Sequence, residues 1–232
     1  MEPSDVNPDL ALAQWQDYCD ILRDYTDVIE VEPAPDCPDS VFIEDPIFTY
    51  ADLAIETRLK YSSRKPEHEA VVRKVEDLGF SLAQLPEGAT LEGGDMLKFN
   101  EKVWVGLSTR TNEAGVRAVA ELLEPLGATV TGVPVEHALH LKSAITALPD
   151  GSFLAHEDYA PPEEFFPGYR RAPEFLGSQI IMLGGNTILM SASGPKTAEM
   201  LRADGFEVLT TPMTEFEKTE GCVTCLSVRI RR

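Results

Sequence analysis

One pattern of apolar and polar positions recurs along the chain: a short apolar run, a stretch of helical period, a glycine, a second short run and a proline. The clearest copies close at Leu78-Gly79-Phe80 before Pro86, Leu126-Gly127-Ala128 before Pro134, and Asp204-Gly205-Phe206 before Pro212, with the glycine seven residues ahead of the proline each time. A glycine at that place suits the left-handed cap of a helix, and the residues between it and the proline have the length of a short strand. The spacing predicts helices over Pro66 to Leu78, Asn112 to Leu126 and Pro195 to Ala203. Asn112 suits an N-cap, and Val116, Val119, Ala120, Leu123 and Leu126 share one face that should pack on a sheet.

The N-terminal stretch repeats the scheme loosely, with a helix through Trp15, Ile21 and Leu22, a strand over Val28 to Val31, and then Pro33. The run from Ser152 to Gly185 reads as a degenerate copy. Self-similarity at such intervals points to stacked or radially arranged units, and their unequal lengths favour a closed α/β propeller over an open solenoid. No low-complexity linker divides the chain, so residues 1–232 read as one domain, with residues 161–167 (PPEEFFP) as an ordered loop or lid.

Four segments carry candidate chemistry, and each has a bland reading beside the functional one. Residues 37–46 read as an apolar strand bracketed by Asp39, Glu44 and Asp45, which cannot all be buried without a positive partner and are otherwise solvated turns. Glu92 and Asp95 flank the diglycine Gly93-Gly94, a usual mark of a turn. His140 heads a strand-like segment running to Leu148 and, like His68, His137 and His156, is on its own a structural histidine. Near the C-terminus, Glu220 to Val228 reads as an apolar strand on which Cys222 and Cys225 face opposite sides, one toward a pocket and one into packing. Zinc and redox readings of this C-x-x-C are poor. No second Cys or His pair follows at zinc spacing, and a thioredoxin-type motif would open a helix.

Charge narrows the partners. A formal net charge of -19 repels a phosphate backbone and fits a cationic small molecule better than a nucleic acid. No apolar run approaches the ~20 residues that cross a bilayer, and the acidic N-terminus is unlike a leader, so a soluble, cytoplasmic protein with free thiols at its four cysteines is expected.

Taken together and in order, PDSVFIED (38–45), LEGGD (91–95), GLSTRTN (106–112), LHLKS (139–143) and TCLS (224–227) resemble the dimethylarginine dimethylaminohydrolases of the pentein superfamily. The resemblance runs from about Trp15 to the C-terminus. It implies a five-fold pseudosymmetric α/β propeller of ββαβ-type units around a central substrate channel. It also implies Cys225 as nucleophile, His140 as general acid and base, and Glu92 as the carboxylate holding the guanidinium beside His140. Asp39 and Asp45, with Glu44 nearby, match acids that bind the substrate's cationic and amino ends, while Arg110 and Arg64 match arginines that grip its α-carboxylate. The implied reaction releases dimethylamine or methylamine and leaves citrulline, with no metal or organic cofactor. The implied partner is a small guanidino compound, not nucleic acid or membrane, and a homodimer is left open.

Family members usually begin with a strand bearing an arginine-containing motif and a lid loop, and neither is found before Met1, so an incomplete N-terminal unit is expected. Two rival functions stand beside the main one: an arginine deiminase-like hydrolase of another guanidine, and a catalytically inactive propeller that binds a cationic metabolite. The deiminases usually carry a helical insertion that this chain lacks, and intact Cys225, His140 and Glu92 count against an inactive propeller.

Overall fold

A computed structural model describes residues 6–230 of the chain. In chain order the regular elements are α1 (Pro8–Arg23), β1 (Ile47–Tyr50), β2 (Leu53–Glu56), α2 (Glu67–Asp77), β3 (Ser81–Gln84), β4 (Met96–Phe99), β5 (Lys102–Leu107), α3 (Glu113–Leu123) and β6 (Thr129–Pro134). These are followed by α4 (Leu141–Ala144), β7 (Ile145–Ala147), β8 (Phe153–Ala155), β9 (Arg170–Arg171), β10 (Ile180–Gly184), β11 (Thr187–Ser191), α5 (Pro195–Ala203), β12 (Glu207–Thr211) and α6 (Thr214–Glu217).

The described residues form four three-stranded sheets, β1-β2-β3, β4-β5-β6, β7-β8-β9 and β10-β11-β12. In each, the first two strands pair antiparallel and the third lies parallel to the second. A parallel return needs a crossover, and α2, α3 and α5 supply it in three of the sheets. In the β7-β8-β9 sheet a loop over residues 156–169 replaces the helix, and this is the degenerate copy expected after Ser152. The central strands are buried on both faces and so read as apolar runs, Val103 to Val105 in β5 and Ile188 to Met190 in β11.

The capping glycines behave as their sequence position predicts. Gly127 adopts φ +90°, and the backbone N–H of Ala128 reaches back to the Leu123 carbonyl at 3.1 Å. The same closure recurs from Phe80 to Val75 and from Phe206 to Leu201, each with the preceding glycine at positive φ. Asn112 caps α3, its side-chain oxygen accepting the Gly115 N–H at 2.9 Å.

By its internal contacts the chain divides into two compact units, one of Met1–Ile29 with Ser143–Thr224, the other of Glu30–Lys142 with Cys225–Arg232. In the first, Leu148, Leu154, Ile180, Ile188, Leu201 and Phe206 build a core. Helix α1 belongs to this unit: Asn7 caps it and donates its N–H to Glu215, Gln14 bonds Thr214, and the Tyr18 hydroxyl donates to the Val223 carbonyl at 2.9 Å. In the second unit, Ile55, Leu91, Val103, Val105, Val119 and Leu123 form the main core, and Ile47, Ala54, Val71, Val75 and Phe80 a smaller one. Each of these valine, leucine, isoleucine and phenylalanine side chains contributes about 1.5–3 kcal/mol by leaving water.

Three strand predictions fail. Val28 to Val31 lies outside the described sheets, half exposed among acids and ahead of Pro33 and Pro35, which have no N–H to donate. The segment 37–46 is a 3-10 turn, Pro38–Val41, and then a second turn closed from the Asp45 N–H to the Phe42 carbonyl. Its apolar residues Val41 to Ile43 are only half-buried, and it is the acids Glu44 and Asp45 that are buried. Residues 220–228 also form turns and extended backbone, so the opposite-faces argument for Cys222 and Cys225 lapses, and both are buried. His140 likewise precedes a helical turn, α4, and the strand begins only at Ile145.

Candidate active site

The diglycine turn after Leu91 is the centre of the site, in the second unit. Glu92 is wholly buried there, and its Oε2 lies 2.8 Å from His140 Nε2. Its Oε1 accepts the Lys60 backbone N–H at 3.3 Å, and its own N–H donates to Thr111 Oγ1 at 3.2 Å. The His140 ring lies flat against Gly94, where a Cβ would fall 2.4 Å from Nδ1. A side chain at that position and the ring cannot coexist as placed.

Asp95, also fully buried, holds the two flanking motifs together. It accepts the hydroxyls of Ser108 at 2.7 Å and Thr111 at 2.6 Å, and the Leu141 N–H at 2.9 Å. The residue after His140 is thereby tied to the loop that carries Arg110. Gly106 makes room for this, since a Cβ there would meet Asp95 Oδ1 at 2.4 Å.

The electrostatics follow from that packing. Burial opposes charge on His140, but Asp45, the Glu92 hydrogen bond and Asp95 outweigh it and push its pKa up to about 9. Burial alone would raise Glu92, yet the His140 bond and charge, then Arg110 and Arg64, hold it below the usual carboxylate range. Burial pushes Asp95 up, against His140 and its three donors.

A second cluster adjoins. Arg64 Nη1 bonds Asp45 at 3.1 Å and stands 3.9 Å from Glu92, while its Nε and Nη2 fork onto Glu67 at 2.9 and 2.8 Å. Asp39, half exposed, lies 3.7 Å from Arg64 Nε. Arg110 sits 4.6 Å over the Tyr61 ring and 3.7 Å from Glu92. The carboxylates here are thus arranged so that a planar guanidinium already sits among them. Asp45, Glu92 and His140 also present three donor atoms within 4.8 Å of one another. Those donors are engaged with each other and with Arg64, and a metal ion would have to displace that guanidinium.

Glu44 completes the arrangement. Its Oε1 pairs with Lys142 Nζ at 2.6 Å and Arg229 Nη2 at 3.1 Å, its Oε2 is buried without a partner among the described residues, and its N–H donates to the Cys225 carbonyl at 3.1 Å. The Glu44 carbonyl abuts Gly93, where a Cβ would fall 1.9 Å away. Backbone contacts therefore run from Cys225 through Glu44 to the diglycine turn and His140.

All eight residues singled out in the sequence lie in the second unit, and Asp45, Arg64, Glu92, Arg110 and His140 share one network. Glu67, Lys142 and Arg229 were not singled out. Glu67 stands three residues after Arg64 at the start of α2, a spacing that allows a pair, but only the fold turns it inward.

The family profile described as N,N dimethylarginine dimethylhydrolase, eukaryotic, matches residues 2–146. A Streptomyces coelicolor protein named N(G),N(G)-dimethylarginine dimethylaminohydrolase is 46% identical over 232 residues, covering 100% of this chain and 90% of that relative. A protein of the same name from Pseudomonas aeruginosa is 29% identical over 214 residues, covering 91% of this chain and 82% of that relative. A solved structure described as DDAH from Pseudomonas aeruginosa, a cysteine-to-serine mutant complexed with citrulline, superposes with a TM-score of 0.91 at 28% identity and covers 99% of this chain and 92% of that one.

Proposed function

Because the chain belongs to the dimethylarginine dimethylaminohydrolase family, we propose that its carboxylate and histidine cluster binds a methylated arginine, which Cys225 and His140 cleave. The enzyme is a dimethylargininase: it hydrolyses N-methylated arginines to citrulline and dimethylamine or methylamine. The observation that carries the site assignment is the buried His140–Glu92 pair set among carboxylates that already accept one guanidinium, that of Arg64.

A guanidinium is delocalised and protonated up to about pH 12, so its carbon resists attack until carboxylates fix it against a strong nucleophile. Glu92 and Asp45 fill that role, and the Oε2 of Glu44, which has no partner among the described residues, offers a further acceptor. Asp39, the most exposed of the acids, takes the substrate's ammonium, while Arg64 and Arg110 take the α-carboxylate. Arg64 turns from Asp45 to do so.

The Cys225 thiolate attacks the guanidino carbon. With its pKa near 9, His140 is an imidazolium at neutral pH, and its charge favours the thiolate. Its proton passes to the departing amine nitrogen as the C–N bond breaks, which leaves a thiouronium on Cys225 and a neutral imidazole. Water then gives one proton to that imidazole and adds to the thiouronium carbon; the adduct expels the thiolate as its remaining hydroxyl proton leaves to solvent, where the released amine takes it up, and citrulline is freed. The cycle closes with His140 protonated again. The residues do this without a metal or organic cofactor.

The proposal includes the closed arrangement of five ββαβ-type units implied by the family, a cytoplasmic location in which the four free cysteines stay reduced, and a homodimer. Among the described residues no helix is long and apolar enough to cross a membrane.

The test is citrulline release from asymmetric dimethylarginine, monomethylarginine and arginine in parallel, with Cys225→Ser as control. Turnover of the methylated substrates, abolished in the folded variant, is the expected result. Preference for arginine moves the chain to a deiminase role, and turnover surviving in Cys225→Ser removes the nucleophile assignment.

A further inference from the structure

We propose that Lys142 and Glu44 are a positioning pair that holds the nucleophile's segment in register with the histidine's, an inference that rests on the assignment of Cys225 and His140 above. Lys142 lies two residues after His140, and Arg229 four residues after Cys225. Both reach the same oxygen, Glu44 Oε1, at 2.6 and 3.1 Å. Glu44 also holds the Cys225 carbonyl through its backbone N–H at 3.1 Å. One residue is therefore fastened by side chain to the histidine's segment, and by side chain and backbone to the cysteine's.

Lys142 and Glu44 are 6% and 4% exposed. Burying such a pair costs about as much solvation as the attraction returns, so its gain is in fixed geometry more than in stability. The geometry is directional. The amino group of Lys142 is drawn onto Glu44, which keeps the chain after His140 from relaxing while Asp95 holds the adjacent Leu141 N–H. The family resemblance gives Glu44 a role toward substrate and assigns none to Lys142. Here Oε1 anchors the pair while Oε2 is buried with no partner among the described residues.

The test is the rate of Cys225 alkylation by iodoacetamide from pH 5 to 10, with tandem mass spectrometry separating Cys225 from Cys222, and unfolding temperature as a check on folding. In Lys142→Met the alkylation midpoint should move to higher pH and the neutral-pH rate fall about tenfold, within the roughly hundredfold that a misplacement of about 1 Å can cost. Lys142→Arg should restore the rate to within about twofold, because it keeps the charge and the reach. Glu44→Gln should follow Lys142→Met, and the double variant should be no worse than either single one. Unfolded chain exposes the thiol and alkylates with the midpoint of an ordinary cysteine, about 8.5, so each variant is alkylated well below its own unfolding temperature. An unchanged midpoint in both Lys142→Met and Glu44→Gln overturns the pair, as does a Lys142→Arg protein that behaves like Lys142→Met. If the parent alkylates at Cys225 but releases no citrulline from methylarginines, the substrate assignment fails, and the alkylation series still decides the pair.

Discussion

His140 and Glu92 owe their unusual charge to each other and to the ionised groups around them, Asp45 and Asp95 for the histidine, Arg110 and Arg64 for the carboxylate. A buried imidazole would ordinarily stay neutral, and a buried carboxylate would ordinarily take a proton, yet at 2.8 Å each holds its partner charged. The linkage has a definite sign. The folded His140 pKa, about 9, lies above its ordinary value near 6.5, so the stability it contributes is complete below about pH 6.5 and is lost as pH rises through about 9. The denaturant midpoint should therefore fall between those values, and His140→Asn should flatten that slope. An equal slope in the variant assigns the pH dependence to another group. Glu92→Gln should lower kcat by about a hundredfold and move the upper limb of the pH profile down, as expected when a charged group at the reacting centre is neutralised. Gly94→Ala should be at least as damaging, because its methyl group falls on the His140 ring; a fully active alanine variant would show that the ring is placed otherwise. At this scale the sequence was informative about which residues matter and silent about what each touches. The resemblance named Glu92, His140 and Arg64, but the fork from Arg64 onto Glu67 and the grip of Lys142 on Glu44 depend on distances that no spacing encodes.

Among the elements, the helices were legible and several strands were not. Glycine at the cap, proline seven residues on and a helical apolar face are local signals, so α2, α3 and α5 fall close to their predicted positions. The segments 37–46 and 220–228 misled because an apolar run signals burial, not pairing. Residues 221–226 and Glu44 to Pro46 are buried in turns while Val41 to Ile43 are only half-buried, a tertiary outcome invisible in a local window. The caps themselves are testable. Replacing Gly127 by Ala places a side chain at φ +90° and should cost about 1–2 kcal/mol, read as a lower unfolding temperature at unchanged KM. Asn112→Ala should cost about 1 kcal/mol or somewhat more, since the same amide also accepts the Thr90 N–H and donates to the Gly88 carbonyl. Neither residue touches the substrate in the proposed assignment, so a large change in kcat from either would mean that the turn after Leu91 shifts with α3.

Across the whole molecule, the 39 acidic residues against 20 basic ones leave a field of like charges that repel one another in the compact state. Screening should relieve it, so the unfolding temperature should rise as sodium chloride is increased from low millimolar to about 0.15 M, where the Debye length is about 8 Å. A fall would mean that attractive pairs such as Arg64 with Glu67 dominate instead. The interleaving of the two units has a further consequence, which concerns time. Helix α1 belongs with α6 and the backbone at Val223, yet the bonds from Asn7, Gln14 and Tyr18 to that region span 200 residues or more. At ribosomal rates of about 5–20 residues per second, α1 waits roughly 10–40 seconds for the segment that will cover it. A helix of 16 residues is marginal on its own. During biosynthesis it is therefore a nascent segment whose packing surface has not yet been made, and the interval before Thr214 emerges is when chaperones or proteases have access to it.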